Sequence, residues 1–189
     1  MKKVVLASKS PRRRALLEML GLDFEIDPSQ EPELAPEHAT PAEIVKSLAA
    51  HKAAEVFEKH RETLVIGADT IVWLDGELLG KPASEEEAFA MLKRLSGHWH
   101  EVYTGISLID EKGEISDAEC SKVLFRELKD EEIIHYIRSG EPMDKAGAYG
   151  AQGKGALFVK RIEGDFFNVV GLPVCRLCEM LSEKGVRIL

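Results

Sequence analysis

Val4-Val5-Leu6-Ala7-Ser8-Lys9-Ser10-Pro11-Arg12-Arg13-Arg14 passes from a short apolar run through a hydroxyl-bearing turn into a helix start. Ser10 is a good N-cap, and Pro11 suits the first helical turn, where its missing N–H has no intrahelical partner to lose. Ala15, Leu16, Leu17, Met19 and Leu20 then supply an apolar helix face, and Gly21 is placed to end it. Strand, turn and helix in that order predict the opening βα unit of an α/β fold. Lys2, Lys3, Lys9, Arg12, Arg13 and Arg14 put six cations and no carboxylate in the first 17 residues of a chain whose formal net charge is −8. A helix N-terminus already presents unpaired N–H groups and partial positive charge, so arginines added there predict a receptor for a phosphorylated ligand. The dipole contributes only about 0.3–1 kcal/mol at exposed sites, which leaves selectivity to side chains. An organelle transit peptide, or a basic nuclear-import or nucleic-acid patch, would use similar residues. The change from β-type to helical pattern favours a folded unit.

Downstream, Phe24 to Ile26 is strand-like and leads into an acidic loop with Gln30, Glu31, Pro32 and Glu33. Thr40-Pro41-Ala42-Glu43 is a capping box that opens a helix running to about residue 60, with an apolar stripe of Ile44, Val45, Leu48, Ala49, Ala53 and Val56. Lys52 lies within that stripe, so its ammonium either snorkels to water or meets an anion. Leu64 to Leu74 is a nearly continuous β-type run interrupted by Asp69. An ionised carboxylate in such a strand is costly unless paired or metal-bound, which makes Asp69 a functional candidate beside the alternative of a turn cap. Asp75-Gly76 predicts a two-residue hairpin turn into Glu77-Leu78-Leu79, followed by Gly80-Lys81-Pro82.

Ser84-Glu85-Glu86-Glu87 reads as a second capping box, opening a helix with Ala88, Met91, Leu92 and Leu95 inward. Two long strands are expected near 99–110 and 114–126, then a short helix with Ile133, Ile134 and Ile137, ended by Gly140. The loop from Asp144 to Gly155 carries Gly147, Gly150, Gly153 and Gly155. Ala156–Ile162 and Asp165–Val170 are expected to form a hairpin about Glu163-Gly164, and Pro173 to open the last helix. Alternation of strands and helices followed by long hairpins predicts an α/β fold with a central mixed sheet flanked by helices.

With 189 residues and 44% hydrophobic content the chain can bury a substantial core, and its length suits one domain with a cleft or two closely joined lobes; one domain, 1–189, is the expectation. The excess of 33 acidic over 25 basic residues disfavours general nucleic-acid binding, whereas a local basic pocket suits a small anion. No apolar run approaches the roughly 18 residues of a membrane span, and nothing resembles a signal peptide, so a cytoplasmic protein with no membrane partner is expected. Three cysteines suggest no disulfide framework, and Cys175-Arg176-Leu177-Cys178 reads as packing within the last helix. His98 and His100, flanking Trp99, read as structural.

The scattered candidates share a chemical theme. Arg12, Arg13, Lys52 and Lys81 are cationic, Ser8 and Ser10 carry hydroxyls, and Asp69 with Glu33 or Glu31 can hold a divalent cation. Magnesium is usually bound by one or two carboxylates plus phosphate oxygens and waters, so this set points to phosphoryl chemistry. The P-loop and kinase signatures are absent.

Leu6-Ala7-Ser8-Lys9-Ser10-Pro11-Arg12-Arg13, Gly67-Ala68-Asp69-Thr70, Gly80-Lys81-Pro82, Asp144 to Gly153 and Val170-Gly171-Leu172-Pro173 resemble, in order and spacing, the Maf-like nucleotide pyrophosphatases. The resemblance implies an inosine-triphosphatase-like fold with a deep cleft, a cytoplasmic location and hydrolysis of nucleoside triphosphates to monophosphate and pyrophosphate with a divalent metal, Mg²⁺ or Mn²⁺. It implies that Asp69 is the catalytic carboxylate and a metal ligand, and that Ser8, Arg12, Arg13, Lys52 and Lys81 contact phosphates. It also implies that Glu33 helps with the metal, although Ser29-Gln30-Glu31-Pro32-Glu33 departs from the usual acidic pattern and Glu31 is an alternative. Arg12, Thr70 and Gln152 match the branch acting on dTTP and UTP, with CTP and modified pyrimidine nucleotides as further candidates. The branch acting on 7-methyl-GTP typically has Trp, Gln and Glu at those places. A neutral amide at Gln152 can donate to and accept from a pyrimidine edge, whereas a cationic methylated guanine would favour a carboxylate. A 7-methyl-GTP enzyme and a non-catalytic nucleotide-sensing module linked to cell division are the rival expectations, and a homodimer is compatible with the resemblance.

Overall fold

The computed structural model describes residues 2–30, 35–36 and 38–189. Its first strand, β1 (Val4–Leu6), is fully buried and lies between two parallel neighbours, β2 (Glu25–Ile26) and the central strand β3 (Leu64–Leu74). The N-terminal stretch is thus built into the sheet. Helix α1 (Pro11–Met19) starts as expected, with the Ser10 hydroxyl accepting from Arg13 N–H, but only Leu16 and Leu17 are buried and Met19 is exposed. Three of the six N-terminal cations also serve structure: Lys2 pairs with Asp110, Lys3 with Glu25 and Arg14 with Glu18.

Helix α2 (Pro41–Lys59) carries the predicted capping box in both directions and buries all six residues of the predicted stripe. Strand β3 turns at Asp75-Gly76, both with positive φ, and pairs antiparallel with β4 (Glu77–Leu79). Helix α3 (Glu85–Leu95) buries its four predicted residues. Its box is shifted: the Ser84 hydroxyl accepts from Glu87 N–H, while the Glu87 carboxylate takes the Ala83 N–H, one residue earlier than the motif predicts. Strands β5 (Trp99–Asp110) and β6 (Gly113–Phe125) are joined by two residues, and β6 pairs antiparallel with β7 (Val159–Glu163). The sheet order is β2-β1-β3-β5-β6-β7, with β4 on β3; parallel and antiparallel pairs make it mixed.

Helix α4 (Asp130–Ile137) buries Ile133, Tyr136 and Ile137, whereas Ile134 is exposed. The hairpin expected about Glu163-Gly164 does not form. Asp165 accepts the Phe167 N–H on its carboxylate and starts helix α5 (Phe166–Val170), and β7 pairs with β6 instead. Local capping chemistry here overrides β-type composition. Helix α6 (Val174–Glu183) closes the order; Cys178 is half-buried in it but Cys175 is exposed, so packing describes only the former.

The chain divides into two compact units, Met1–Asp69 with Thr104–Glu119 and Gly171–Leu189, and Thr70–Tyr103 with Cys120–Val170. In the first, Val5, Ala7, Val65 and Ile109 of the sheet pack on Ala53 and Val56 of α2. A fully buried Asp110 side chain there accepts from Lys2 at 2.7 Å, Lys184 at 2.9 Å and the Lys112 N–H at 3.0 Å. Burial alone would raise its pKa, but these hydrogen bonds outweigh it and hold the carboxyl below the usual carboxylate range. In the second, α3 and α4 close on Val72, Leu79, Val102, Val123 and Phe125. His100, called structural from sequence, sits in that core. Its Nε2 is 2.8 Å from the Tyr149 hydroxyl and its ring is edge-on to Phe125. Burial pushes its pKa down to about 4. No helix among the described residues is long and apolar enough to cross a membrane.

Candidate active site

Parallel pairing sets the site's position. Leu6 of β1 lies opposite Ile66 of β3, and Ala7 N–H continues the ladder to the Ile66 carbonyl at 2.8 Å. Ser8 and Asp69 therefore follow within a few residues at the carboxyl ends of the paired segments of two adjacent strands, the usual ligand end of a parallel α/β sheet. Ser8 is buried, and its hydroxyl accepts from Ser10 N–H and from Arg13 Nη1, each at 3.2 Å. Arg13 Nε donates to the Gly171 carbonyl at 2.8 Å, so the guanidinium is braced from two sides. Arg12 is half-buried on the same first turn. The Val170-Gly171-Leu172-Pro173 segment had been singled out by sequence, but nothing in it signalled that its carbonyl would brace Arg13.

Lys52 does not snorkel. Its ammonium donates to Asp69 Oδ1 at 2.5 Å, with the two side chains only 13% and 9% exposed, so the lysine meets an anion from its own chain. Two glycines make this reach possible. A Cβ on Gly67 would lie 2.2 Å from the Ala49 carbonyl oxygen, and one on Gly105 would lie 2.2 Å from that of Val45. Helix α2 consequently rests with its backbone directly on β3 and β5, bringing Lys52 within side-chain reach of Asp69. Gln30 N–H and the Ser29 hydroxyl both donate to Glu55, one turn beyond Lys52, and tie the chain entering the acidic loop to α2. Glu31 and Glu33 lie outside the described residues.

Thr70, Lys81 and Gln152 belong to the second unit. Thr70 is half-buried and by strand alternation shares a face with Val72, whose side chain lies against Gly147. Gly147, at φ 67°, donates its N–H to the Gly80 carbonyl at 3.0 Å. The turn carrying Lys81 and the glycine-rich loop carrying Gln152 are thereby joined, and both side chains are exposed. Among the described residues no three His, Cys, Asp or Glu side chains converge to hold a metal. A buried carboxylate such as Asp69 nevertheless fits a hard cation that takes its other ligands from phosphate and water.

Sequence relatives of this chain align with it over nearly its whole length. A dTTP/UTP pyrophosphatase from Dictyoglomus turgidum is 48% identical over 191 residues, covering 100% of this chain and 99% of that protein. A dTTP/UTP pyrophosphatase from Bacillus cytotoxicus is 50% identical over 183 residues, covering 97% and 96%. Among solved structures, a HAM1 protein from Coxiella burnetii shares the fold with a TM-score of 0.51 at 18% identity, over 97% of this chain and 100% of that one. The model of the family described as Maf-like protein matches residues 3–184, nearly the whole chain: this chain belongs to the Maf-like family.

Proposed function

We propose that this chain is a nucleoside triphosphate pyrophosphatase that hydrolyses dTTP and UTP to the monophosphate and pyrophosphate, with residues 1–189 acting as one catalytic domain in the cytoplasm. The buried Lys52–Asp69 pair, its aspartate on the strand parallel to the one that leads into Ser8 and Arg13, is the observation that carries this reading. Relatives at 48% and 50% identity that bear the name dTTP/UTP pyrophosphatase support it. Lys52 orients Asp69 before substrate arrives and turns to phosphate when a triphosphate enters. Asp69 then accepts a proton from the water that attacks the α-phosphorus. A new P–O bond forms as the bond to the bridging oxygen breaks, and pyrophosphate departs. Arg12, Arg13, Lys52 and Lys81 neutralise the charge that gathers on it, so electrostatics and positioning supply most of the rate. Asp69, with Glu33 or Glu31, would hold a divalent cation, Mg²⁺ or Mn²⁺, which when bound supplies further neutralisation of the phosphates. Thr70 and the Gln152 amide select the base.

A panel of dTTP, UTP, CTP and 7-methyl-GTP with Mg²⁺ or Mn²⁺, read as pyrophosphate release, tests the proposal. Fastest turnover is expected on dTTP and UTP, and Asp69→Asn should lower kcat by about 10²–10⁴-fold, at some cost in stability because it leaves the buried Lys52 without its charged partner. Preference for 7-methyl-GTP would select the other branch, and binding without turnover would select a nucleotide-sensing module.

A further inference from the structure

Gln152 stands exposed in a segment that, on composition, should be poorly held. Gly150 and Gly153 flank it within two residues, and glycine backbone loses more conformational freedom on ordering than any other. An amide can discriminate bases only if its position is fixed before the base arrives. The fixing comes from one pair of side chains outside the loop. On the N-terminal side, Gly150 N–H donates to the Tyr136 hydroxyl oxygen at 3.2 Å. On the C-terminal side, Lys154 N–H donates to Glu141 Oε2 and Gly155 N–H to Glu141 Oε1, each at 3.1 Å. The Tyr136 hydroxyl donates in turn to Glu141 Oε1 at 3.0 Å and closes the ring of contacts.

The backbone has no slack around these bonds. A Cβ on Gly155 would lie 2.4 Å from the Gly150 carbonyl oxygen and 2.7 Å from the Tyr136 hydroxyl, so the two ends of the tip meet at a neck that only glycine permits. Gly153 has φ 81°, and a Cβ there would lie 2.9 Å from Glu141 Oε2. Tyr136 is itself immobile: it is 3% exposed and its ring packs edge-on against Phe158 at 4.9 Å between centroids. Burial would raise the Glu141 pKa, but the Gly155 and Lys154 N–H groups and the Tyr136 hydroxyl outweigh it and hold the carboxyl below its usual value, as befits an acceptor of three hydrogen bonds.

We infer that Tyr136 and Glu141 are positioning residues for base selection, clamping the neck of the Gln152 loop so that the amide is presented to the pyrimidine in a fixed place. This rests on the proposed function, in which Gln152 reads the base. Neither residue touches the phosphates in this scheme, so the clamp acts on KM and base preference more than on kcat.

The test is a double-mutant cycle in the full chain. Tyr136→Phe removes one hydroxyl and keeps the ring on Phe158; Glu141→Gln replaces one acceptor oxygen with a donor facing backbone N–H groups. Each is expected to raise KM for dTTP and UTP by about five- to tenfold, with kcat within about twofold and a smaller preference over CTP. In a Gln152→Ala background the same substitutions should add little, because the amide they position is gone. Amide hydrogen exchange should quicken at Gly150, Lys154 and Gly155 in either variant. Active wild type with losses that multiply fully with Gln152→Ala, or a fall in kcat at unchanged KM, would overturn the clamp alone. Wild type that releases no pyrophosphate from dTTP or UTP would overturn the functional reading and the clamp's role with it.

Discussion

Lys52 and Asp69 illustrate how function is bought with stability at a single pair of residues. Two largely buried charges must be desolvated, and their attraction recovers that only when each keeps its partner. Lys52→Ala, which strands the carboxylate, is expected to destabilise the fold by about 2–4 kcal/mol in urea titrations and to abolish most pyrophosphate release. Lys52→Met with Asp69→Leu should recover much of that stability without recovering any activity. A double variant as unstable as the single one would show that the pair is structural cement. Sequence exposed the pair only as alternatives: Asp69 as an intruder in an apolar strand, Lys52 as a lysine on an apolar helix face. Their union is a long-range contact between a helix and a strand, and periodicity within either element has no access to it.

At the level of elements, α2 depends on two positions where the sheet has no side chains. Overpacking usually costs about 1–3 kcal/mol, and at Gly67 and Gly105 the obstruction is helix backbone, which cannot rotate away. Gly67→Ala should reach the upper end of that range and also lower kcat/KM, because displacing α2 carries Lys52 from Asp69. Gly21→Ala, at φ 68° with open space around it, should cost only about 1 kcal/mol and leave kinetics unchanged. Thermal melts and steady-state assays on the two variants separate packing from conformational strain. Element starts were the most legible features: Ser10, Thr40, Ser84 and Asp75-Gly76 each act through hydrogen bonds or φ values within a few residues. Phe166–Val170 was misread because its composition is β-type while its fate was set by one Asp165 side chain. The Tyr136–Glu141 clamp left no signal at all, since a tyrosine on a helix and a glutamate after a glycine are unremarkable until folding brings them to a loop.

For the molecule as a whole, acid should act on the two units in different ranges. His100 in the second unit has a folded pKa near 4 against about 6.5 when unfolded, so the unfolded state binds more protons between those values and stability is lost as pH falls through them. The loss is of order 2–3 kcal/mol by pH 4. Asp110 in the first unit has a depressed folded pKa, so its contribution is present above the unfolded value of about 3.9 and disappears only as pH falls below it. Hydrogen exchange across an acid series should therefore show protection falling first in the core around Val102, Val123 and Phe125, beginning near pH 6, with the Val5–Val65 core following below about pH 4. Asp110→Asn should flatten the second step, and simultaneous loss in both cores near pH 6 would contradict the scheme.

The division of the chain also decides what an optical melt can see. Both tryptophans, Trp73 and Trp99, and all three tyrosines, Tyr103, Tyr136 and Tyr149, fall within Thr70–Tyr103 and Cys120–Val170. Tryptophan and tyrosine emission therefore arises in the unit that carries Lys81 and Gln152, while the unit that holds Asp69 has no tryptophan or tyrosine of its own to report its unfolding.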